Sequence, residues 1–160
     1  MTKLFSISTI VILLFSGFSY SQKTSKTEYT LTIKKGNVTK KNNQTFWVIP
    51  TTFTNNSKDT LRYYSMSCSW QDFYSVDNKK LKVEIAECDK NVPTILTLAP
   101  KQCKTVEIRL LISQTMDTSG IKFKVGFNLV KVSKTQKQFD FDLKEEQKKK
   151  NIIWSNLISM

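Results

Sequence analysis

The sequence predicts an all-β fold: an antiparallel immunoglobulin-like sandwich of about eight to ten short strands. Short runs rich in β-branched and aromatic residues alternate apolar with polar side chains, as strands with one buried face do. Clusters of Asn, Asp, Gly and Pro separate these runs, and such clusters are typical of turns. No long helical period interrupts this pattern.

A secretory leader is expected over residues 1–21. Lys3 supplies a positive start, and residues 4–18 are mostly apolar, as in the hydrophobic region of a signal peptide. Small residues stand just before a cleavage site that is expected between Ser21 and Gln22.

The expected leader determines the expected domain organisation of the mature chain and its location. The mature chain, residues 22–160, is expected to form a single β-sandwich domain, in the periplasm or outside the cell. The alternative is an uncleaved anchor, but the apolar run is short for a bilayer span of about 20 residues. No other long apolar run occurs, so no transmembrane span is expected after cleavage.

The central stretch, residues 46–70, predicts two strands joined by a polar turn at residues 55–59. The flanking compositions favour a hairpin or a sharp strand-to-strand connection. Pro50 cannot donate a hydrogen bond to a neighbouring strand, so the first strand is expected at a sheet edge or bulged at that point.

The second strand of this stretch has two distinguishable faces. Tyr64, Met66, Cys68 and Trp70 share one face, because side chains alternate along a strand. That face is the better core candidate, and it places Cys68 inside. The other face begins with Leu61 and Tyr63 and continues with serines.

The remaining strands follow from the same alternation. A first strand is expected at 29–33, followed by a turn at Gly36 and a loop over 40–44. The clearest amphipathic strand is expected at 121–129. The other expected strands are 72–76, 81–85, 94–98, 103–112, 139–143 and 152–158.

Three cysteines in an exported chain predict one disulfide and one free thiol. Cys103 has the opposite parity to the apolar residues of its strand, so it is expected to face outward. Cys68 faces inward, so the predicted disulfide is Cys68–Cys88. The Cys103 thiol is then either free and without effect or paired between two chains.

The chain is strongly basic, with a formal net charge of +12. Without Lys3, which belongs to the leader, 24 basic residues face 13 acidic ones, a net charge of +11. The alternatives are a lysine-rich solvated surface and a binder of anionic polymer or lipid. Only Arg62 and Arg109 are arginines, the residue suited to bidentate phosphate recognition, so no specific nucleic-acid partner is expected.

Catalytic, metal and cofactor sites are not expected. The chain contains no His, no Cys-x-x-Cys pair and no glycine-rich phosphate loop. Asp140 and Asp142 are a regularly spaced carboxylate pair, but they alternate with Phe and are expected on the solvent face of a strand. The acidic residues Glu84, Glu87 and Asp89 match no calcium-loop spacing.

Several segments resemble known protein groups. The leader end "SYSQ", the strand "MSCSWQDFY", the loop "CDKNVP" and the terminal "IIWSN" resemble small exported Ig-like proteins of Bacteroidetes-type bacteria. The segments "TNNSKDTL", "FYSVDNKKL" and "LTLAPKQ" are distantly similar to the β-sandwich proteinase-inhibitor domain of bacilli, over residues 46–112. Both resemblances imply a sandwich, and no inhibitory residue can be carried over from either.

The function expected from these observations is non-enzymatic binding at the cell envelope, to another envelope or extracellular protein or to a glycan. Exposed aromatic residues are candidate anchors for such a partner. The candidates are Trp47, Tyr63, Phe73, Tyr74 and Trp154.

Two alternatives remain open. One is a proteinase inhibitor or accessory subunit that acts through the loop 87–93, which the disulfide would make rigid. The other is the binder of anionic polymer or lipid. The candidate interaction residues of the loop are Glu87, Asp89, Lys90, Asn91 and Pro93.

Overall fold

The computed structural model describes residues 27–113, 117–132 and 151–160. The predicted leader and the predicted strand at 139–143, with Asp140 and Asp142, lie outside these ranges. The regular structure of the described residues is antiparallel β-sheet apart from one 3-10 turn, which confirms the predicted all-β fold. Within the same ranges, no helix is long and apolar enough to cross a membrane.

Twelve strands and one 3-10 turn make up the described chain. The strands are β1 Tyr29–Ile33, β2 Asn37–Lys41, β3 Gln44–Asn55, β4 Leu61–Met66, β5 Tyr74–Val76, β6 Lys82–Val83, β7 Pro93–Leu98, β8 Cys103–Ile112, β9 Lys122–Phe123, β10 Val125–Asn128, β11 Ile152–Trp154 and β12 Ile158–Ser159. The 3-10 turn, Trp70–Phe73, separates β4 from β5.

The first layer of the sandwich is built around β3. On one side β3 pairs with β8 along its length, from Thr45 opposite Ile112 to Thr54 opposite Cys103. On the other side it pairs with β1 and β2 in succession. The short strand β6 adds to the far side of β8.

Pro50 lies in the central strand of this layer, so its expected edge position is wrong. Lys34 N donates to Pro50 O at 3.1 Å, and the N–H and C=O of one strand residue face the same side. The missing donor of Pro50 therefore faces the gap between β1 and β2 and removes no bond to β8. In that gap the chain passes so close to β3 that a Cβ at Gly36 would overlap the Val48 carbonyl.

The loop expected over residues 40–44 is instead a hairpin. Its strands, β2 and the start of β3, are joined by Asn42 and Asn43, which both have positive φ (50° and 60°). Two successive left-handed residues form the tight turn that suits the twist of a hairpin, and Asn tolerates this backbone. The prediction missed the strand because β2 is exposed on both faces and carries no apolar alternation.

The second layer consists of β7, β4, β5, β10 and β11. β4 pairs with β7, whereas β10 pairs with both β5 and β11. The chain that follows β10 joins these pairs, because Tyr64 N donates to Val130 O and Val132 N donates to Arg62 O, each at 2.9 Å. β4 and β5 therefore lie beside one continuous strand, and the 3-10 turn bulges out between them.

The connection between β3 and β4 crosses from one layer to the other. The sequence left open a hairpin or a sharp strand-to-strand connection, and the hairpin does not form. Asn55, which is fully buried, fixes this crossing. Its Nδ2 donates to the carbonyls of Asp59 (2.8 Å), Leu98 (3.0 Å) and Ala99 (3.2 Å). Its Oδ1 accepts from the backbone N–H and the hydroxyl of Ser57.

The predicted faces of β4 are only partly correct. Tyr64 is buried as expected, but Leu61 and Tyr63 are also buried, at 4% exposure each. The face that carries Leu61 and Tyr63 points to the other layer, where Tyr63 packs on Phe53. The strand ends at Met66, so Cys68 lies beyond it, half-buried among bends.

The predicted strands at 121–129 and 152–158 are each divided in two. The first becomes β9 and β10, and the second becomes β11 and β12. β9 pairs with β12, whereas β10 pairs with β11. The expected alternation is nevertheless correct, because Ile121, Phe123, Val125, Phe127 and Leu129 are all buried.

Replacing Asn55 should destabilise the fold far more than replacing its neighbour. Asn55→Ala leaves three carbonyls and Ser57 without their partner in a buried site, so we expect a loss of about 3 kcal/mol in the free energy of unfolding. The measurement is urea unfolding of both variants. Asn56→Ala is the matched control, because its two side-chain bonds are exposed or only partly buried, and it should lose about 1 kcal/mol or less. Equal losses would contradict the role of Asn55.

Candidate binding cleft

One side of the sandwich is open between β7 and β8. β7 pairs on one side with β4, and β8 pairs on one side with β3. In the described part of the chain, the other side of β7 carries no strand. The other side of β8 carries only β6, which covers its end at Leu110 and Leu111. Two strand edges therefore border the gap between the layers.

A cleft of about 1370 Å³ occupies this gap. Its floor consists of aromatic side chains from both layers, namely Phe53, Tyr63, Trp70, Tyr74 and Phe127. Leu96 of β7 and Val106 of β8 form facing walls. The cleft continues past the edge of β8 to the outer face of the first layer. There it is lined by Phe46 and Leu111, which pair across β3 and β8.

The aromatic floor is one connected cluster. Phe127 lies at its centre, with ring centroids 4.9 Å from Phe53, 4.9 Å from Tyr74 and 5.9 Å from Tyr63. Trp70 extends the cluster outward by an edge-on contact with Tyr74 at 5.8 Å. The cluster thus runs from the fully packed core to a half-buried tryptophan at the cleft.

The floor carries no charge in the physiological pH range. Burial raises the pKa of Tyr63. Burial also raises the pKa of Tyr74, and repulsion from a Tyr63 phenolate would raise it further. Both phenols are therefore protonated, and of the two only Tyr74, which is half-buried, exposes part of its ring, because Tyr63 is 4% exposed.

A strap formed by residues 84–92 spans the far end of the cleft. It leaves β8 after Glu84, whose N–H donates to Arg109 O at 2.8 Å. It is then tied to the end of β4 by the Cys68–Cys88 disulfide, with a Cα–Cα distance of 6.3 Å. The predicted pairing is confirmed, and Cys103 is free and exposed, as its parity predicts.

The predicted interaction loop forms the end of this strap. Glu87, Asp89 and Lys90 are exposed, and Glu87 also lines the cleft. Asn91 has a structural role, because its Oδ1 accepts the N–H groups of Cys68 (3.3 Å) and Ser69 (3.2 Å).

The last residue of that loop, Pro93, begins β7. Just before it, Val92 pairs with Ser67: Ser67 N donates to Val92 O at 2.8 Å, and Val92 N donates to the Ser67 hydroxyl at 3.0 Å. The loop is therefore attached to the second layer by backbone as well as side-chain bonds.

Charged and polar groups surround the cleft. Arg109 and Glu84 form an ion pair at 3.5 Å. Lys104 is exposed although its parity is that of the buried residues of β8, because the layers do not close over it. Gln71 also lines the cleft, and its Oε1 is buried without a hydrogen-bond partner in the described part of the chain.

Of the candidate aromatic anchors, Tyr63 and Tyr74 line the cleft, Tyr74 half-buried and Tyr63 buried at its base. Trp47 and Phe73 are buried in the core. Trp154 is 42% exposed, but it lies elsewhere, packed over Gly126. The scattered Glu84, Glu87 and Asp89 form no metal-binding group, and the described ranges hold none.

Trp70, Phe53 and Phe127 also line the cleft but were not predicted as binding residues. Phe53 and Phe127 alternate as core residues do, and Trp70 was placed on a strand that ends before it. Only the pairing of the layers shows that the aromatic cluster reaches an open edge.

Comparison with known proteins identifies no relative. No family model matches the chain, and neither a curated protein nor a solved structure matches it.

Removing the disulfide should loosen the strap and lower stability. The double variant Cys68→Ser, Cys88→Ser opens a loop with a sequence separation of 20 residues. We expect a loss of about 3 kcal/mol in the free energy of unfolding, measured with urea. Cys103→Ser is the control and should change little, because that thiol is exposed and free. A similar loss in both would argue against the strap as a stabilising element.

Stability should fall in alkali through Tyr74. Its pKa is higher in the folded state than in the unfolded chain, where it is about 10. The associated stability is present in full below about pH 10 and is lost as the pH rises towards the folded value. The stability advantage of the wild type over Tyr74→Phe should therefore shrink above about pH 10, measured by urea unfolding between about pH 8 and about pH 11. Lysines titrate in both proteins and cancel, so a constant difference would refute the raised pKa.

Proposed function

We propose that this protein is an exported, non-enzymatic binding protein of the cell envelope, and that its partner occupies the cleft between β7 and β8. The observation that supports this proposal is the aromatic floor, which continues the hydrophobic core to an open edge. Large aromatic side chains at a concave, half-open site are the usual anchors of macromolecular binding.

The chemistry of the cleft favours binding over catalysis. Its floor is apolar and uncharged, and the chain has no His to act as a general base. One of the carboxylates that line the cleft, Glu84, is already held in an ion pair with Arg109. The polar groups at the rim, including Lys104 and Gln71, would orient a partner and select it.

Inhibition of a proteinase by the loop 87–93 is the second candidate. The loop is exposed at Asp89, Lys90 and Val92, and it is held by the disulfide and by Asn91. A loop fixed in this way loses little conformational entropy when it enters an active site.

An affinity capture from the envelope of the producing cells tests the cleft. Trp70→Ala removes the outermost aromatic ring of the cleft and should reduce partner recovery about tenfold or more, as loss of an anchor residue does. Trp154→Ala is the matched control, because it makes the same change at an exposed site outside the cleft. Lys104→Glu reverses the charge of an exposed side chain that lines the cleft and should also reduce recovery.

Other outcomes of the same capture point to the alternatives. Loss of the partner in Asp89→Ala, Lys90→Ala but not in Trp70→Ala would move the site to the loop, and an inhibited proteinase among the recovered proteins would identify its target. Recovery of only nucleic acid, lipid or polysaccharide that washes off at moderate salt would favour the anionic-polymer binder. Either result would overturn the cleft as the site.

A further inference from the structure

We infer that the partner enters the cleft as an extended polypeptide segment, which adds as a β-strand to the free edge of β8 beside Thr105 and Glu107. This inference rests on the proposed function and specifies the chemistry of the partner. It follows from the direction of the backbone groups of β8, from the pairing of β6 with the same edge and from the side chains that border this edge.

The backbone of β8 offers hydrogen-bonding groups to the cleft side. Glu84 N donates to Arg109 O across the outer edge, whereas Asn55 N donates to Gln102 O on the β3 side. Successive residues of a strand direct their N–H and C=O groups to opposite sides. The odd-numbered residues therefore face away from β3, so Thr105 and Glu107 each present an N–H and a C=O at an edge that no strand of the described ranges covers.

The same edge already accepts one strand. Lys82 and Val83 of β6 pair with Leu111 and Leu110, and the ladder continues to the bond between Glu84 and Arg109. The strap then turns away towards Cys88, so the next positions of β8 have no strand beside them in the described ranges. An incoming segment would continue the line of β6 along β8.

Side chains along this edge define what such a segment must carry. Every second side chain of an added strand would point between the layers, where it meets Val106, Leu96 and the ring of Trp70. These positions favour apolar or aromatic residues. Ile85 of the strap, which is 50% exposed and also lines the cleft, would pack against the same side chains.

Charge favours an acidic segment. Beyond the ion pair between Arg109 and Glu84, the cleft is lined by the cations Lys41, Lys82 and Lys104 and by the anions Glu87 and Glu107. Lys104 points towards the layer interior, and no ion pair holds it among the described residues. The chain as a whole carries +12. A segment that alternates apolar with acidic or polar residues therefore fits both the floor and the rim.

A strand suits this site better than a glycan or a lipid does. A glycan would use the aromatic rings but would leave the regular row of backbone donors and acceptors to water. A lipid chain would cover those groups without pairing with them, which costs free energy. Only a polypeptide backbone matches their spacing, as in other cases where an extended peptide adds to an exposed sheet edge.

The first test is amide hydrogen exchange of the free mature protein, followed by NMR. The amides of Thr105 and Glu107 should exchange rapidly, whereas those of Lys104 and Val106, which face β3, should be protected. Slow exchange at all four positions would show that the edge is already covered, by another part of this chain or by a second copy, and would overturn the inference.

The second test is selection from a displayed library of random linear nonapeptides. Selected peptides should show apolar alternation, and adding them should slow the exchange of Thr105 and Glu107. Thr105→Pro removes the N–H that faces the free edge but none that faces β3, and it should weaken binding about tenfold or more. Thr105→Val is the matched control, because it keeps the N–H while losing the 2.9 Å hydroxyl contact with Thr52.

Methylation of the peptide backbone separates the inference from the proposed function. Each selected peptide is resynthesised with N-methyl groups on the amides that would face β8, which leaves all side chains unchanged. Loss of binding is expected. Equal binding of the methylated form that still depends on Trp70 would overturn strand addition and leave the cleft as the site. If no peptide is selected above the Thr105→Pro background, the inference fails, and the affinity capture decides separately whether the cleft binds anything else.

Discussion

The buried amide of Asn55 is the interaction on which the arrangement of the two layers depends. It belongs to the last residue of β3, yet it holds the crossing to β4 through Asp59 and the turn from β7 to β8 through Leu98 and Ala99. The backbone of Asn55 adds bonds to Gln102 and Lys101 in the same turn. Because two of the connections between the layers, β3 to β4 and β7 to β8, meet at one side chain, their relative position at that end is fixed.

The cleft follows from this attachment and from a second one at its other end. β7 ends and β8 begins at the turn that Asn55 holds, so the two edges diverge from a fixed point. At the opposite end the strap is tied to the second layer by the Cys68–Cys88 disulfide and by Asn91. The edges between these attachments are therefore bordered by rigid elements, and a preorganised site of this kind spends less free energy on ordering when it binds.

The alternation of apolar and polar residues predicted those features of the fold that depend only on neighbouring residues. The bounds of β1 and β8 and the outward direction of Cys103 follow from strand parity, which is a property of neighbouring residues. The predicted disulfide is also present, although Cys68 lies beyond the end of β4 and strand parity does not apply to it. The layer crossing after Asn55, the central position of Pro50 and the aromatic cleft depend on which strands pair, and parity carries no information about that. The two-asparagine turn of the β2–β3 hairpin carried a readable signal in Asn42 and Asn43, which suit left-handed backbone.

The sequence of β8 helps to explain why this side of the sandwich is open. Lys104 occupies an inward position opposite Phe53, in series with Val106, Ile108 and Leu110. Lys104 has no ion pair among the described residues, and burying an unpaired ammonium group costs free energy, which disfavours closure of the layers over this end of the strand. A charged residue that points inward and a proline at the start of β7 also protect exposed edges against unspecific pairing. The same residue would favour, for the proposed partner, a segment that can neutralise a positive charge.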